Sequence, residues 1–188
     1  LVINKPNALL SVPTENQTEI SAFDYVTDYL NHHVYVIHRL DKFTSGVLIF
    51  AKNVKTQAYY RDDWQKKAPD RSYIAIVEGK VTEKSGTIQS YLQESKSLFV
   101  FSSDTGKEAI SHFETIRTND RYSALLVSLE TGRRNQIRVH MADLKHPIAG
   151  DSKYGAKTNP IKRLALHAYR VKVKDPINHK LMTFIAPI

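Results

Sequence analysis

The stretch HRLDKFTSGVLIFAK, residues 38–52, decides how the rest of this sequence is interpreted. Its second half, 47–51, is a short apolar run rich in β-branched and aromatic residues, which is typical of a buried strand. Its first half crowds charged and hydroxyl side chains into a segment closed by Gly46, and the apolar run 34–37 leads into it. The pattern therefore predicts a strand, a charged loop and a second strand.

Asp41 lies in this loop between Arg39 and Lys42. Neighbouring positive charges stabilise the ionised form of a carboxylate, which suits a nucleophile or a base. The same neighbours are compatible with a loop aspartate that makes an Asx-turn or a surface ion pair. Taken alone, the loop favours the second interpretation.

The composition bounds the class of protein. A chain of 188 residues with 41% hydrophobic content can bury one sizeable core, so we expect one folded unit. Cysteine is absent, which excludes disulfides and thiolate zinc sites and favours a reducing compartment. No apolar stretch approaches the roughly 20 residues that cross a bilayer. We expect a soluble, cytoplasmic monomer without a membrane partner.

The charge balance is strongly positive. Lys and Arg number 27 against 19 acidic residues, which gives a formal net charge of +8. An excess of this size indicates a polyanionic partner, with nucleic acid the first candidate. Because many basic proteins bind no nucleic acid, the charge supports this interpretation without establishing it.

Helical periodicity predicts three helices. The first covers 21–30, with Thr18 or Ser21 as N-cap and apolar residues at Ala22, Tyr25, Val26 and Tyr29. The second covers 53–67 and is capped by Asn53. The third runs from a cap at Asn135 to Leu144, with Ile137, Met141 and Leu144 on its buried face.

Alternating apolar runs predict strands elsewhere. A strand is predicted over 71–79, and short runs separated by turn residues between 81 and 129 predict an antiparallel meander. Further strands are predicted close to the end of the chain.

Three motifs, in this order along the chain, resemble those of the RluA-type RNA pseudouridine synthases. They are H-R-L-D-x-x-T-S-G at 38–46, G-R-x-x-Q-I-R-x-H at 132–140 and G-D-x-x-Y-G at 150–155. The opening segment from Lys5 and the strand 71–79 also resemble that family, so the resemblance spans nearly the whole chain. It implies an α+β pseudouridine synthase catalytic domain with a mostly antiparallel mixed sheet and a few flanking helices.

The resemblance also implies an activity and the residues that perform it. The family isomerises specific uridines in ribosomal or transfer RNA, and the target base leaves its stack to react. Asp41 matches the essential aspartate, Tyr73 matches the aromatic residue placed against the uracil, and Arg138 is expected to pair with Asp41. Neither a metal nor an organic cofactor is expected. Five further residues are expected to contact RNA: Arg39, Lys42, Arg133 and Arg134 at the base or phosphates, and Leu166 as an apolar wall.

The sequence departs from the family pattern at two informative positions. Ala8 stands where the family usually has Gly, so either Ala8 is strained or Asn7 takes the left-handed conformation. Asn135 stands where the family usually has His, and Asn retains hydrogen bonding but has no titratable proton. The chain also begins without Met, so we expect residues 1–188 to be a catalytic domain truncated at both ends. Any N-terminal RNA-binding module would lie outside it.

Other functions fit the sequence less well. A metal-dependent nuclease needs a spaced set of His and acidic ligands, and no such set is seen. A glycosidase needs two cooperating carboxylates, whereas only Asp41 has a convincing setting. The alternative that stays open is a non-catalytic RNA-binding domain of the same fold.

Overall fold

The computed structural model describes residues 1–14 and 19–188. These residues form ten strands: β1 (Val2–Lys5), β2 (Tyr35–Val36), β3 (Ser45–Ala51), β4 (Asp70–Glu78), β5 (Ser85–Glu94), β6 (Val100–Ser103), β7 (Lys107–Thr118), β8 (Tyr122–Leu129), β9 (Leu166–Lys174) and β10 (Leu181–Ile185). They also form four α-helices: α1 (Ala22–Leu30), α2 (Val54–Asp62), α3 (Trp64–Lys67) and α4 (Gln136–Asp143). The predicted α+β fold with a mixed sheet is confirmed.

The chain divides into two compact units. The first unit comprises Leu1–Asp70 and Ala168–Ile188, and the second comprises Arg71–His167. The interpretation of residues 1–188 as one catalytic domain stays a prediction.

The sheet of the first unit is built around β3. Strands β1 and β2 pair with β3 in antiparallel register, and β10 pairs with β9 in the same sense. Every residue of β3 is buried, which confirms the buried strand predicted from the apolar run 47–51. Its side chains Val47 and Ile49 belong to a core cluster that also includes Ile37, Tyr60, Val171 and Val173.

Helix α1 begins as predicted, but the face that it buries differs from the predicted one. Ser21 caps it, and the Ser21 and Asp24 side chains form a reciprocal capping box. Thr18, the other predicted cap, lies outside the described residues. The four predicted apolar positions divide into two buried residues, Ala22 and Val26, and two exposed ones, Tyr25 and Tyr29.

The single helix predicted over 53–67 is wrong. The chain leaves helical geometry at Asp63, where φ is −152° and ψ is 78°, so α2 and α3 are separate helices. The Asp63 side chain accepts a hydrogen bond from the Lys66 amide and thereby caps α3. Helical periodicity does not detect such a break, because a capping aspartate is also compatible with an uninterrupted exposed helix face.

The sheet of the second unit runs in the order β4-β8-β7-β5-β6, and its strand pairs are antiparallel. The predicted antiparallel pairing is therefore confirmed, but the predicted meander is wrong between β6 and β7, because β7 pairs with β5, and β5 lies between β7 and β6. Helix α4 packs on the core of this unit through the buried side chains of Ile137 and Met141, and Leu144 is partly buried beside them.

Asn135 precedes α4 but does not cap it as predicted. Its φ is 53°, in the left-handed region, and its side chain makes no capping hydrogen bond. Asparagine tolerates this conformation better than most residues, because its short polar side chain bonds locally. The side chain is therefore available for the contacts described below.

Candidate active site

The predicted site residues divide between the two units. Arg39, Asp41 and Lys42 belong to the first unit. The remaining five belong to the second unit: Tyr73, Arg133, Arg134, Arg138 and Leu166.

The main chain around Asp41 is fixed by its neighbours. Ser11 Oγ donates a hydrogen bond to the Leu40 carbonyl oxygen at 2.7 Å and accepts one from the Leu40 amide at 3.0 Å. The Asp41 carbonyl oxygen accepts a hydrogen bond from the Thr44 amide at 3.0 Å, which closes a turn. The residue before Asp41 and Asp41 itself are thus both held through the backbone.

A fully buried lysine holds the residue after Asp41. Lys5 Nζ donates hydrogen bonds to the carbonyl oxygens of Lys42 at 3.1 Å, Pro6 at 2.8 Å and Leu9 at 2.8 Å. Burial lowers the pKa of Lys5 to about 8, and the negative charge of Asp41 opposes this shift. Lys5 therefore ties the opening segment of the chain to the loop that carries Asp41.

Gly46 allows this loop to close against β9. Its φ is 113°, and a Cβ atom at this position would lie 2.2 Å from the Ala168 carbonyl oxygen. A side chain at this position would clash with the backbone and would also force a strained conformation. The glycine in the predicted loop is thus required by a close backbone approach.

The two basic residues beside Asp41 differ in their surroundings. Arg39 is exposed to solvent. Lys42 Nζ forms an ion pair with Glu19 at 2.6 Å, with about a third of the Lys42 side chain exposed. A phosphate that binds Lys42 must therefore compete with Glu19.

Arg138 projects from α4 into a buried ion pair. Its Nε donates to Asp151 Oδ2 at 2.7 Å and its Nη2 donates to Asp151 Oδ1 at 2.7 Å. The Asp151 side chain is only 1% exposed. This two-bond geometry is the strongest arrangement of a guanidinium and a carboxylate, and it fixes the plane of the Arg138 side chain.

Asn135 and Tyr154 complete the surroundings of Arg138 in the second unit. Arg138 Nη1 donates to Asn135 Oδ1 at 3.3 Å, and Asn135 Nδ2 donates to the Tyr154 hydroxyl at 3.0 Å. The Arg138 Cζ atom lies 4.9 Å from the centroid of the Tyr154 ring, within cation–π range. Burial raises the pKa of Tyr154, so its hydroxyl stays protonated at neutral pH. The predicted pair of Arg138 with Asp41 stays a prediction.

Gln136 ties the start of α4 to β7. Its Oε1 accepts hydrogen bonds from Thr131 Oγ1 at 2.7 Å and from the Arg133 amide at 2.9 Å. Its Nε2 donates to the Ile110 carbonyl oxygen and to Ser111 Oγ, both at 2.9 Å. One buried amide therefore holds the loop that carries Arg133.

His140 anchors the same helix further along. It is fully buried, and its Nδ1 and Nε2 lie 2.9 Å and 3.1 Å from the hydroxyl oxygens of Ser111 and Ser90. Burial lowers the pKa of His140 to about 4, although Asp143 opposes the shift. The imidazole is therefore neutral at physiological pH.

Arg133 and Arg134 are exposed in the loop before α4. Arg133 Nε donates to the Glu108 carbonyl oxygen at 2.9 Å, and Arg134 forms an ion pair with Glu94. Because α4 begins only at Gln136, Arg134 lies before the helix that carries Arg138.

Tyr73 and Leu166 differ in exposure. Tyr73 lies on β4 opposite Val127 and is partly buried against the core of the second unit. Leu166 is 3% exposed and belongs to that core. Its predicted role as an apolar wall for RNA stays a prediction.

A comparison with known protein families decides the identity. The RNA pseudouridylate synthase family matches residues 1–143. This chain belongs to that family. The family predicted from the charged loop and the two later motifs is thereby confirmed.

Two curated relatives illustrate the similarity. The chain is 39% identical to the uncharacterized RNA pseudouridine synthase YhcT of Bacillus subtilis, covering 100% of this chain and 65% of that protein. It is 33% identical to the ribosomal large subunit pseudouridine synthase D of Haemophilus influenzae, covering 100% of this chain and 64% of that protein. The chain thus spans slightly less than two thirds of the length of these relatives.

A solved structure supports the fold. Human RNA pseudouridylate synthase domain containing 1 superposes with a TM-score of 0.82 at 22% identity, covering 100% of this chain and 79% of that chain. A second human protein, RNA pseudouridylate synthase domain containing 4, gives a TM-score of 0.79 at 18% identity, covering 100% of this chain and 84% of that chain.

The sequence did not identify several residues that shape the site of this family member. Lys5 was quoted only as the start of the opening segment that resembles the family, and Ser11 was not singled out as a contact. Asp151 and Tyr154 were quoted only as letters of the G-D-x-x-Y-G motif, which was the available signal for both.

Two searches of the described residues concern other classes of function. Among residues 1–14 and 19–188, no group of three or more His, Asp and Glu side chains could hold a metal ion. No helix in that part of the chain is long and apolar enough to span a membrane.

Proposed function

We propose that this chain is the catalytic part of an RNA pseudouridine synthase. The observation that carries the proposal is membership of the family combined with an aspartate, Asp41, whose loop is held from both sides by hydrogen bonds from the buried residues Ser11 and Lys5. A fixed backbone holds a reacting carboxylate in a defined position, which is what catalysis by orientation requires.

The reaction is an isomerisation without net loss of atoms. The bond from C1′ to N1 of uridine breaks, the base turns, and a bond from C1′ to C5 forms. N1 gains a proton and C5 loses one. Asp41 acts on the nucleoside, Arg138 stabilises the ionised form of Asp41, and Tyr73 stacks on the uracil and assists removal of the C5 proton.

The charge and the names of two relatives support the choice of substrate to test. A net charge of +8 suits a polyanion. Two relatives, from Haemophilus influenzae and Borreliella burgdorferi, are named ribosomal large subunit pseudouridine synthase D. We therefore propose large-subunit ribosomal RNA as the first substrate to test, with transfer RNA as the second. Cofactor independence, cytoplasmic location and a monomeric state stay predictions.

The test is the substitution Asp41→Asn, which preserves size and removes the charge. Release of tritium from RNA labelled at C5 of uridine measures turnover, since the C5 proton is lost to water. We expect tritium release by Asp41→Asn to fall below detection while RNA affinity stays within about twofold. The matched control is Asp28→Asn on the exposed face of α1, which removes the same charge and should retain turnover.

Turnover by Asp41→Asn at the wild-type rate would refute the proposal. RNA binding without turnover by the unmodified protein, on ribosomal and transfer RNA alike, would instead identify a non-catalytic RNA-binding domain of the same fold.

A further inference from the structure

The hairpin between β5 and β6 exposes apolar and basic side chains at its tip. Leu98 and Phe99 are 55% and 36% exposed, and Lys96 beside them is exposed. Lys153 lies against them, with its Nζ donating to the Leu98 carbonyl oxygen at 3.2 Å. These four residues are called the hairpin surface.

The Phe99 ring rests on the residues that surround Arg138. Its centroid lies 5.1 Å from that of Tyr154, with the rings tilted by 30°. Lys153 Nζ lies 5.5 Å from the Phe99 centroid, and Arg138 Cζ lies 4.9 Å from the Tyr154 centroid. Two ring contacts therefore connect the exposed Phe99 to the proposed catalytic arginine within one unit.

The tip is held in a defined conformation. The Leu98 amide donates a hydrogen bond to the Ser95 carbonyl oxygen at 2.9 Å. The Phe99 amide donates one to Ser95 Oγ at 3.1 Å. The Ser95 amide donates to the Phe99 carbonyl oxygen at 2.8 Å. Leu98 has a φ of 62°, which is unfavourable for a bulky residue, so these hydrogen bonds hold it in a conformation that it would not favour by itself. The tip therefore presents Phe99 without needing to order it on binding.

The charge at the tip is positive. The nearby Glu94 carboxylate is bound by Arg134, so it does not oppose an approaching anion. Lys96 and Lys153 are both exposed, and Lys153 Nζ lies 5.5 Å from the Phe99 ring centroid. An accessible aromatic ring with flanking lysines is the combination that binds unpaired nucleotides, since every base offers a face for stacking and every linkage offers a phosphate.

We propose that the hairpin surface binds an unpaired nucleotide that neighbours the target uridine in the RNA. The base stacks on the exposed part of Phe99, and its phosphates contact Lys96 and Lys153. The inference rests on the proposed function and deepens it, because it assigns a contact for the RNA outside the uridine pocket.

The test compares three substitutions on the hairpin. Phe99→Ala removes the ring, and Phe99→Tyr keeps it. Phe101→Ala is the matched control, because Phe101 is 38% exposed, about as much as Phe99. Val100 packs in a core cluster with Tyr154, and successive residues of a strand point to opposite faces, so Phe101 lies on the other face of β6. The readouts are Kd for a short single-stranded RNA with 2-aminopurine next to the uridine, by fluorescence, and KM and kcat for tritium release.

Phe99→Ala should raise both Kd and KM at least about fivefold and leave kcat at saturating RNA within about twofold. Phe99→Tyr and Phe101→Ala should bind like the wild type, and 2-aminopurine quenching should disappear only in Phe99→Ala. Equal effects of Phe99→Ala and Phe101→Ala, or a Phe99→Tyr variant as weak as Phe99→Ala, would overturn the inference.

The phosphate contact has a separate signature. Lys153→Gln should lower the slope of log K against log salt by about 0.7, the value for one phosphate on a single strand, whereas Phe99→Ala should leave the slope unchanged. An unchanged slope in Lys153→Gln would overturn the phosphate assignment.

The same experiment separates this inference from the proposed function. Binding is measured in the Asp41→Asn background, where turnover plays no part. Loss of RNA affinity in Phe99→Ala with no turnover in the wild type would refute the proposed enzymatic function and retain the proposed RNA contact at the hairpin surface. Wild-type turnover with unaltered Kd and KM in Phe99→Ala would refute the surface alone.

Discussion

Asp41 and Arg138 are held in place by different means. The Asp41 loop is fixed through main-chain atoms, by Ser11 on Leu40 and by Lys5 on Lys42. These bonds use no side-chain oxygen of Asp41. Arg138 is fixed through its own guanidinium, of which three N–H groups are bonded to Asp151 and Asn135.

The difference teaches where each unit is vulnerable. Substitutions in the first unit should alter the position of a loop, whereas substitutions in the second should alter the orientation and charge balance of one side chain. Stability, hydrogen exchange and pH dependence distinguish these two effects.

Asp151→Asn should have the largest effect. It preserves shape but removes the negative charge opposite Arg138, leaving a largely buried cation with one acceptor fewer. We expect the free energy of unfolding in urea to fall by about 3 kcal/mol, as for a broken buried ion pair. The control Glu94→Gln breaks the exposed ion pair with Arg134 and should change the free energy of unfolding by less than about 0.5 kcal/mol. Similar losses in both variants would contradict the assignment.

Lys5→Met should have the second largest effect, because it removes the donor that bonds to three carbonyl oxygens. We expect a loss of about 2 kcal/mol in the free energy of unfolding, reduced because burial of the charge is relieved. Hydrogen exchange at the Thr44 amide, which bonds to Asp41, should accelerate. Lys55→Met, at an exposed position on α2, is the control and should change neither the free energy of unfolding nor the exchange rate of the Thr44 amide. Unaltered exchange at Thr44 would show that Lys5 does not hold the loop.

His140 should make the stability of the second unit depend on pH. Its folded pKa of about 4 lies below the ordinary value of 6.5, so the unfolded state binds more protons between these values. The free energy of unfolding should therefore fall as the pH drops from 6.5 toward 4. His140→Gln, which cannot titrate, should show a shallower dependence in urea unfolding at several pH values. Parallel curves for the two proteins would rule out this role.

Ala8→Gly should have the smallest effect and the opposite sign. Ala8 has a φ of 63°, so removing its Cβ relieves backbone strain, and we expect a gain of about 0.5 kcal/mol after the added entropy of the unfolded chain. The same replacement at Ala58 within α2 should lower the free energy of unfolding by about 1 kcal/mol. A loss at both positions would mean that Ala8 is not strained.

Local patterns predicted much of this molecule. The strand β3, the antiparallel strands 85–129 and the extent of α4 were all found from periodicity, because burial of one face repeats every two or 3.6 residues. The open choice at Ala8 was settled by the structure, which places Ala8 itself in the left-handed region. The break at Asp63 and the exposure of Tyr25 and Tyr29 were missed, because they depend on what packs nearby.

The sequence by itself determined the family, the fold class and the loop that presents Asp41, since each rests on neighbouring residues in fixed order. Only the tertiary structure decided which side chains hold that loop and Arg138. Lys5 reaches Lys42 across 37 positions, Ser11 reaches Leu40 across 29, and Arg138 meets Asp151 across 13. Such pairs leave no periodic signal, because hydrogen bonds and ion pairs depend on distance in space, which only the packed chain fixes.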